Sequence, residues 1–250
     1  MLCDLFVVTT LLQAVNTLHY LSLYRQGMAS VDLGSIAFDI QPIRERPGFW
    51  SVVNFSERVV AAALLVLALP PLILAAIIII AISRRSPLIA HQRVGQGGRL
   101  IWVLKLRTMW KGGSAQRFAF IHRLSPVEAP LLPPAMKNVR VASRFAAFCR
   151  RYSLDELPQL WHVVRGEMSL VGPRPLTRLE LDTYYGPDGE RIVGERPGLS
   201  GLWQISGRSR LTYAQRRRLD LFLVQKWSLS LYLRILLFTI PRVVGGKDAW

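Results

Sequence analysis

From Val59 to Ile82 the chain reads VVAAALLVLALPPLILAAIIIIAI, 24 residues with neither a charge nor a polar side chain. A bilayer core of ~30 Å is crossed by roughly 20 helical residues, so this run is long enough to enter a membrane. A globular core helix of that length shows a polar face, and this one has none. Pro70 and Pro71 stand at its centre. A mid-helix proline removes a backbone hydrogen bond and clashes with the preceding turn, at about 3 kcal/mol, so two in a row predict a break. Basic residues flank both ends: Arg44, Arg46 and Arg58 before, Arg84, Arg85, Arg93 and Arg99 after. A spanning helix concentrates its positive flank on one side. The pattern favours a helix that enters, breaks at the prolines and returns to the same face. The competing reading is a kinked span, since prolines are tolerated in spans.

Charge divides at the same feature. The 250 residues carry a formal net charge of +16, yet 51% are hydrophobic. Residues 1–58 hold four basic and five acidic residues, whereas residues 59–250 hold 28 basic and 11 acidic. So apolar a chain is no disordered polycation. Attraction to anionic headgroups explains the combination, and nucleic-acid binding is the other ordinary use of such a high pI. Cys3 and Cys149 are too few for a disulfide framework, which fits a reducing compartment or a cytosolic face. The four histidines are scattered, and no zinc-binding spacing occurs.

Around this run the sequence divides into residues 1–50, an N-terminal extension of uncertain structure; 51–85, the membrane-embedded helix; and 86–250, a catalytic domain with interfacial helices. Leu5 to Tyr24 is apolar but carries Gln13, Asn16 and His19, without the basic start of a secretory signal. Residues 25–50 read as a linker, and Met28 is a possible translation start. Ile89 to Arg93 and Leu100 to Leu106, separated by a glycine cluster, predict a β-hairpin. Residues 110–140 read as a variable excursion, followed by a helix over about 141–151. A second helix is expected from near Pro158 to near Gly166. Residues 195–208 read as a glycine-rich loop carrying Trp203. Residues 213–244 read as one or two helices, either interfacial or buried.

Carboxylates are scarce after the membrane run, and two of them are adjacent: Asp155 and Glu156. Two readings stand side by side. Ser153-x-x-Glu156 matches a capping box, which satisfies free N–H groups at a helix start. Alternatively, an aspartate attacks phosphorus to form an acyl-phosphate. An anion approaching a diphosphate needs arginines and a divalent cation to neutralise the phosphate oxygens. Mg²⁺ suits this, being held by one or two carboxylates plus substrate phosphates. Arg150, Arg151 and Arg174 lie close by in sequence, and Pro173 and Pro175 hold Arg174 in a rigid segment.

The order of segments resembles the bacterial sugar transferases, the monotopic polyprenyl-phosphate phosphoglycosyl transferases. The matching pieces are Pro70-Pro71, Gln92-Arg93-Val94-Gly95, Lys105 to Met109, Ser153 to Leu160, Met168 to Pro175, Arg196-Pro197-Gly198, Gly201 to Gln204 and Trp227-Ser228-Leu229. The resemblance implies a helix-rich α+β monotopic membrane protein. Its proline-broken helix would be re-entrant, and its small catalytic domain would rest on the cytoplasmic face of the bacterial inner membrane.

The implied reaction moves a phospho-sugar from a nucleotide diphosphate sugar, a UDP-sugar by preference, to polyprenyl (undecaprenyl) phosphate. That step starts an exopolysaccharide, O-antigen or capsule repeat unit. By the same resemblance Asp155 is the nucleophile and Glu156 its partner in Mg²⁺ binding or proton handling, the two being the expected Mg²⁺ ligands. Arg150, Arg174, Lys105 and Arg107 contact phosphate, the partners are membrane lipid and the two substrates, and no nucleic acid is expected. The chain departs from the family pattern at Asn54-Phe55-Ser56-Glu57-Arg58, where a Lys-Arg and an Asp are usual. It departs again at Pro70 for Ser, at Ala146 for Gly and at Tyr232 for Asp, and an Asp-Pro before Arg140 is absent. Two other classes compete: a basic membrane-anchored binding module, and a metal-dependent glycosyltransferase using direct displacement.

Overall fold

The computed structural model describes residues 47–109, 121–124, 143–207 and 211–245. The apolar stretch 5–24, the linker 25–50 up to Arg46, the possible start at Met28 and most of the excursion 110–140 lie outside these residues.

Helix α1 runs from Pro47 to Ser83, 37 residues. The helical assignment continues through Pro70 and Pro71 rather than ending there. Glu57, Ala61, Ala68, Ala75 and Ile79 are its buried positions. Their spacing of four and seven places them on one face, as 3.6 residues per turn requires. Around that stripe Val66, Leu67, Ile73, Leu74 and Ile77 are exposed. A chain that leaves this much apolar surface uncovered expects a non-aqueous neighbour.

The buried stripe docks α1 at two places. Ala61 joins the main core with Val103, Leu160, Val163, Met168, Leu202, Leu223 and Ile235. Ala75 and Ile79 join a separate cluster with Leu106, Leu72, Leu88 and Phe145. Beside Ala61, the buried Glu57 carboxylate accepts bonds from Ser169 Oγ (2.5 Å), the Leu170 N–H (3.2 Å) and Tyr232 Oη (2.6 Å). Arg196 stands 3.7 Å from its other oxygen and also donates to Asn54. The two departures at Glu57 and Tyr232 therefore meet in one hydrogen bond.

After α1 comes the expected hairpin. Strand β1 (Leu88–Val94) pairs antiparallel with β2 (Leu100–Leu106), with His91 opposite Val103. Gly97 and Gly98 take φ of 67° and 77° in the turn, where residues with a side chain are strained. Strand β3 (Ile121–Leu124), inside the stretch read as an excursion, pairs parallel to β1 and gives the order β2-β1-β3.

Helix α2 (Arg144–Arg151) is capped by Ser143, whose Oγ accepts from the Ala146 N–H. A 3-10 turn (Leu154–Gln159) leads into α3 (Leu160–Val164). The expected helix from Pro158 is thus split, with Pro158 inside the turn, and Gly166 at φ 75° lies beyond its end. Strand β4 (Ser169–Val171) pairs parallel with β5 (Gly198–Ser200). Between β4 and β5 lie the short helices α4 (Arg178–Glu180) and α5 (Gly189–Val193), and α6 (Leu202–Ser206) follows β5, so the region read as a loop contains both a strand and a helix. Helices α7 (Tyr213–Gln225) and α8 (Leu229–Gly245) complete the described chain. Leu233, Leu237, Ile240 and Val244 of α8 are exposed, while Leu231 and Ile235 pack into the core. The stretch is therefore apolar and exposed on one side and buried on the other.

Removing the Glu57 carboxylate would strand two hydroxyls and one N–H in the interior. Glu57→Ala is expected to lower unfolding stability by about 2–4 kcal/mol, read by chemical denaturation in detergent. Glu57→Gln, which keeps an acceptor oxygen, is expected to cost less.

Candidate active site

The residues around Asp155 are brought together by a single left-handed serine. Ser153 takes φ 56° and ψ 22°, a conformation sparsely occupied by residues with a side chain. It turns the chain sharply between α2 and the 3-10 turn, and its N–H donates to the Arg150 carbonyl at 3.1 Å. Its side chain makes no capping bond, so the capping-box reading fails. The Glu156 carboxylate is free of that task and instead accepts from Lys105 Nζ at 2.6 Å.

Lys105 is held in place from the other side. The Leu104 N–H donates to His162 Nε2 at 3.1 Å. His162 Nδ1 lies 2.6 Å from Glu167, so that nitrogen carries the proton and Nε2 accepts. His162 is therefore a buried strut between β2 and α3.

Asp155 is half-buried, and its carboxyl is pushed up to about 6. Burial is the main cause and the neighbouring Glu156 charge the second, while Lys105 and Arg150 pull the other way. The structure thus gathers Asp155, Glu156, Lys105 and Arg150. The buried Nε of Arg150 has no hydrogen-bond partner among the described residues. A buried charged donor left open is costly unless an anion completes it.

Arg174 belongs to an adjoining group. Its guanidinium lies 4.6 Å from the Trp203 ring centre, with Arg216 5.6 Å from the same ring. Its own Nε is buried and unpartnered among the described residues. The Arg174 N–H donates to Asp220 Oδ1 at 3.3 Å, and Tyr185 Oη donates to Asp220 Oδ2 at 3.0 Å. Burial raises the Asp220 carboxyl to about 7, against those bonds and the nearby arginines. Arg93 pairs with Glu180 at 3.3 Å and feels the charges of both Arg174 and Glu156, so it links the two groups.

Gly172 and Gly198 approach each other so closely that a Cβ on either would strike backbone. The Gly198 N–H donates to the Pro173 carbonyl at 2.8 Å. That contact fixes the segment Pro173-Arg174-Pro175.

Arg107 is placed differently from the other candidates. It is buried, and its Nε donates to the Ser86 carbonyl at 2.7 Å. Its charge still reaches His91, whose imidazole is lowered to about 3 by burial and then by Arg93, Lys105 and Arg107. Sequence reasoning passed over Arg93, Arg216, Glu180 and Asp220 as site residues. Arg93 lay within a quoted motif, and the others carried no local signal.

Fold and site together define a membrane-associated α+β protein with an acidic pair set among arginines and a lysine. Three relatives share this sequence plan. A UDP-galactose-lipid carrier transferase of Erwinia amylovora is 41% identical over 194 residues, covering 76% of this chain and 40% of that protein. An exopolysaccharide production protein, ExoY, of Sinorhizobium fredii is 39% identical over 195 residues, covering 77% and 85%. A UDP-glucose:undecaprenyl-phosphate glucose-1-phosphate transferase of Caulobacter vibrioides is 36% identical over 200 residues, covering 77% and 70%. The family model of the bacterial sugar transferases matches residues 50–246. The chain belongs to the bacterial sugar transferase family and is a transferase.

A carboxyl raised on folding stabilises the native state while protonated, and that contribution is lost as pH rises through the folded value. Wild-type stability is therefore expected to fall relative to Asp155→Asn between about pH 4 and pH 7. Paired thermal melts across that range check it, and a flat difference contradicts it.

Proposed function

We propose that this chain transfers a sugar 1-phosphate from a UDP-sugar to polyprenyl (undecaprenyl) phosphate through a covalent intermediate on Asp155. The product is a polyprenyl diphosphate-sugar, the first lipid-linked unit of an exopolysaccharide, O-antigen or capsule. The carrying observation is the acidic pair Asp155-Glu156, with Lys105 of β2 bonded to Glu156 and the charge of Arg150 acting on Asp155. The printed activities of the Erwinia and Caulobacter relatives support the substrate classes.

Asp155 attacks the sugar-bearing phosphorus. A P–O bond to Asp155 forms, the bond to the bridging oxygen breaks, and UMP leaves. A polyprenyl phosphate oxygen then attacks the same phosphorus, and Asp155 departs as a carboxylate. With its carboxyl at about 6, Asp155 is largely ionised at neutral pH and is more basic than an ordinary aspartate. Arg150, Arg174 and Arg93 hold phosphate oxygens and offset the negative charge gathering there. Lys105 holds Glu156 in register and moderates the repulsion between the two carboxylates.

The donor set fits Mg²⁺: two adjacent carboxylates on a rigid turn, which substrate phosphates would complete. Bound there by Asp155 and Glu156, the ion would neutralise diphosphate charge. Direct displacement at the anomeric carbon, as in a metal-dependent glycosyltransferase, is the second reading; it breaks the sugar C–O bond and releases UDP instead of UMP.

The docking of α1 supports a re-entrant placement. Glu57 and Ile79 both touch the catalytic domain, yet their separation along the helix, at 1.5 Å per residue, is about 33 Å. A straight crossing of a ~30 Å core would leave them on opposite sides. A bend of the continuous helix at Pro70-Pro71 would let both ends stay on one side, and the excess of basic residues after Arg58 favours the cytoplasmic face.

Asp155→Asn is expected to reduce transfer at least 1,000-fold, while wild type releases UMP as sugar reaches lipid; UDP release or an active Asp155→Asn contradicts the covalent route. For topology, single cysteines at Ser56 and Ser83, with Cys3 and Cys149 replaced, are expected to react from the cytoplasmic side only. Labelling from opposite sides means a span.

A further inference from the structure

Helix α2 carries an aromatic stripe that the reaction does not use and that the core covers only at one end. Phe145 and Phe148 stack with ring centres 6.4 Å apart, and Phe148 and Tyr152 lie 4.8 Å apart. Spacing of three and four residues puts the rings on one side of the helix. Ala146 and Cys149, next to them around the helix, are buried. The stripe has two distinct ends. Phe145 packs against Ala75, Ile79 and Leu106, at the second half of the membrane helix. Tyr152 is three residues from Asp155, across the left-handed Ser153.

Phe148, in the middle, is 49% exposed. The charges are placed to match. The Arg151 guanidinium lies 5.8 Å from the Tyr152 ring centre, and Arg150, with its open Nε, acts on Asp155. A surface that is apolar at the membrane end and cationic at the reacting end matches one kind of molecule: a lipid whose long hydrocarbon ends in a phosphate.

The geometry points to the Phe145–Phe148–Tyr152 stripe as the track on which the acceptor polyprenyl phosphate lies, with its phosphate delivered to Arg150 and Arg151 beside Asp155. This rests on the phospho-sugar transfer proposed above and names the site of its second substrate. The first isoprene units lie over the three rings, which span about 10 Å of helix. The dianionic phosphate takes charge-assisted bonds from Arg150 and Arg151. From there an acceptor oxygen faces the phosphorus held on Asp155. A new P–O bond forms as the bond to Asp155 breaks.

The test uses the full chain in vesicles of phosphatidylethanolamine and phosphatidylglycerol carrying undecaprenyl phosphate. Phe148→Ala is expected to raise the KM for undecaprenyl phosphate at least tenfold, with the KM for the UDP-sugar within about twofold. Phe148→Leu, which keeps an apolar side chain, is expected to recover most of the loss. An unchanged acceptor KM, or both KM values rising together, overturns the track. So does loss of vesicle co-sedimentation by Phe148→Ala, which would make the ring a membrane anchor.

A diazirine-bearing polyprenyl phosphate gives a readout independent of turnover. It is expected to label the peptide 144–152 on irradiation, and undecaprenyl phosphate is expected to compete. Labelling without turnover would refute the transfer reaction and leave the lipid track standing. Turnover without labelling there would refute the track alone.

Discussion

The grip of the catalytic domain on both halves of one apolar helix constrains everything else in the molecule. The rest of the chain holds this helix at Glu57 and again at Ile79. The first hold is polar: a buried carboxylate surrounded by Ser169, Leu170, Tyr232 and Arg196. The second is apolar, against Leu106 and Phe145. The first ties the membrane helix to β4, whose next residues carry Arg174. The second ties it to α2, whose last residues carry Arg150. The apolar helix and the segments carrying Arg150 and Arg174 are in this way packed together.

Charge at the site is balanced rather than simply positive. Two adjacent carboxylates would repel each other and any phosphate. Lys105 is bonded to one, and Arg150 lies near the other. The balance leaves Asp155 raised, not lowered, because burial and Glu156 outweigh the cations. The buried Nε atoms of Arg150 and Arg174 have no hydrogen-bond partner among the described residues. The arginine group is kept from collapsing onto Asp155 and Glu156 by its own partners, Glu180 for Arg93 and the Trp203 face for Arg174.

Much of this was legible in the sequence where a feature is local. The membrane run and the β1–β2 hairpin follow from periodicity and from glycines at the turn. The acidic pair stood out because carboxylates are rare after Arg58. What was not legible depends on contacts distant along the chain. Strands β4 and β5, three residues each, are too short to show alternation. The role of Glu57 is set by Ser169 and Tyr232, 112 and 175 residues away, which no local pattern reveals. Ser153 and Glu156 matched a capping box by spacing. The left-handed Ser153 and the pull of Lys105 override that local preference.

The covalent role of Asp155 is the central claim, and mass analysis of the protein after rapid quenching tests it most directly. Wild type mixed with UDP-sugar and Mg²⁺ in the absence of polyprenyl phosphate should gain one sugar-phosphate mass on the peptide containing Asp155. That mass should disappear when polyprenyl phosphate is added. An unmodified protein during active transfer, or an adduct on any other residue, would contradict the account.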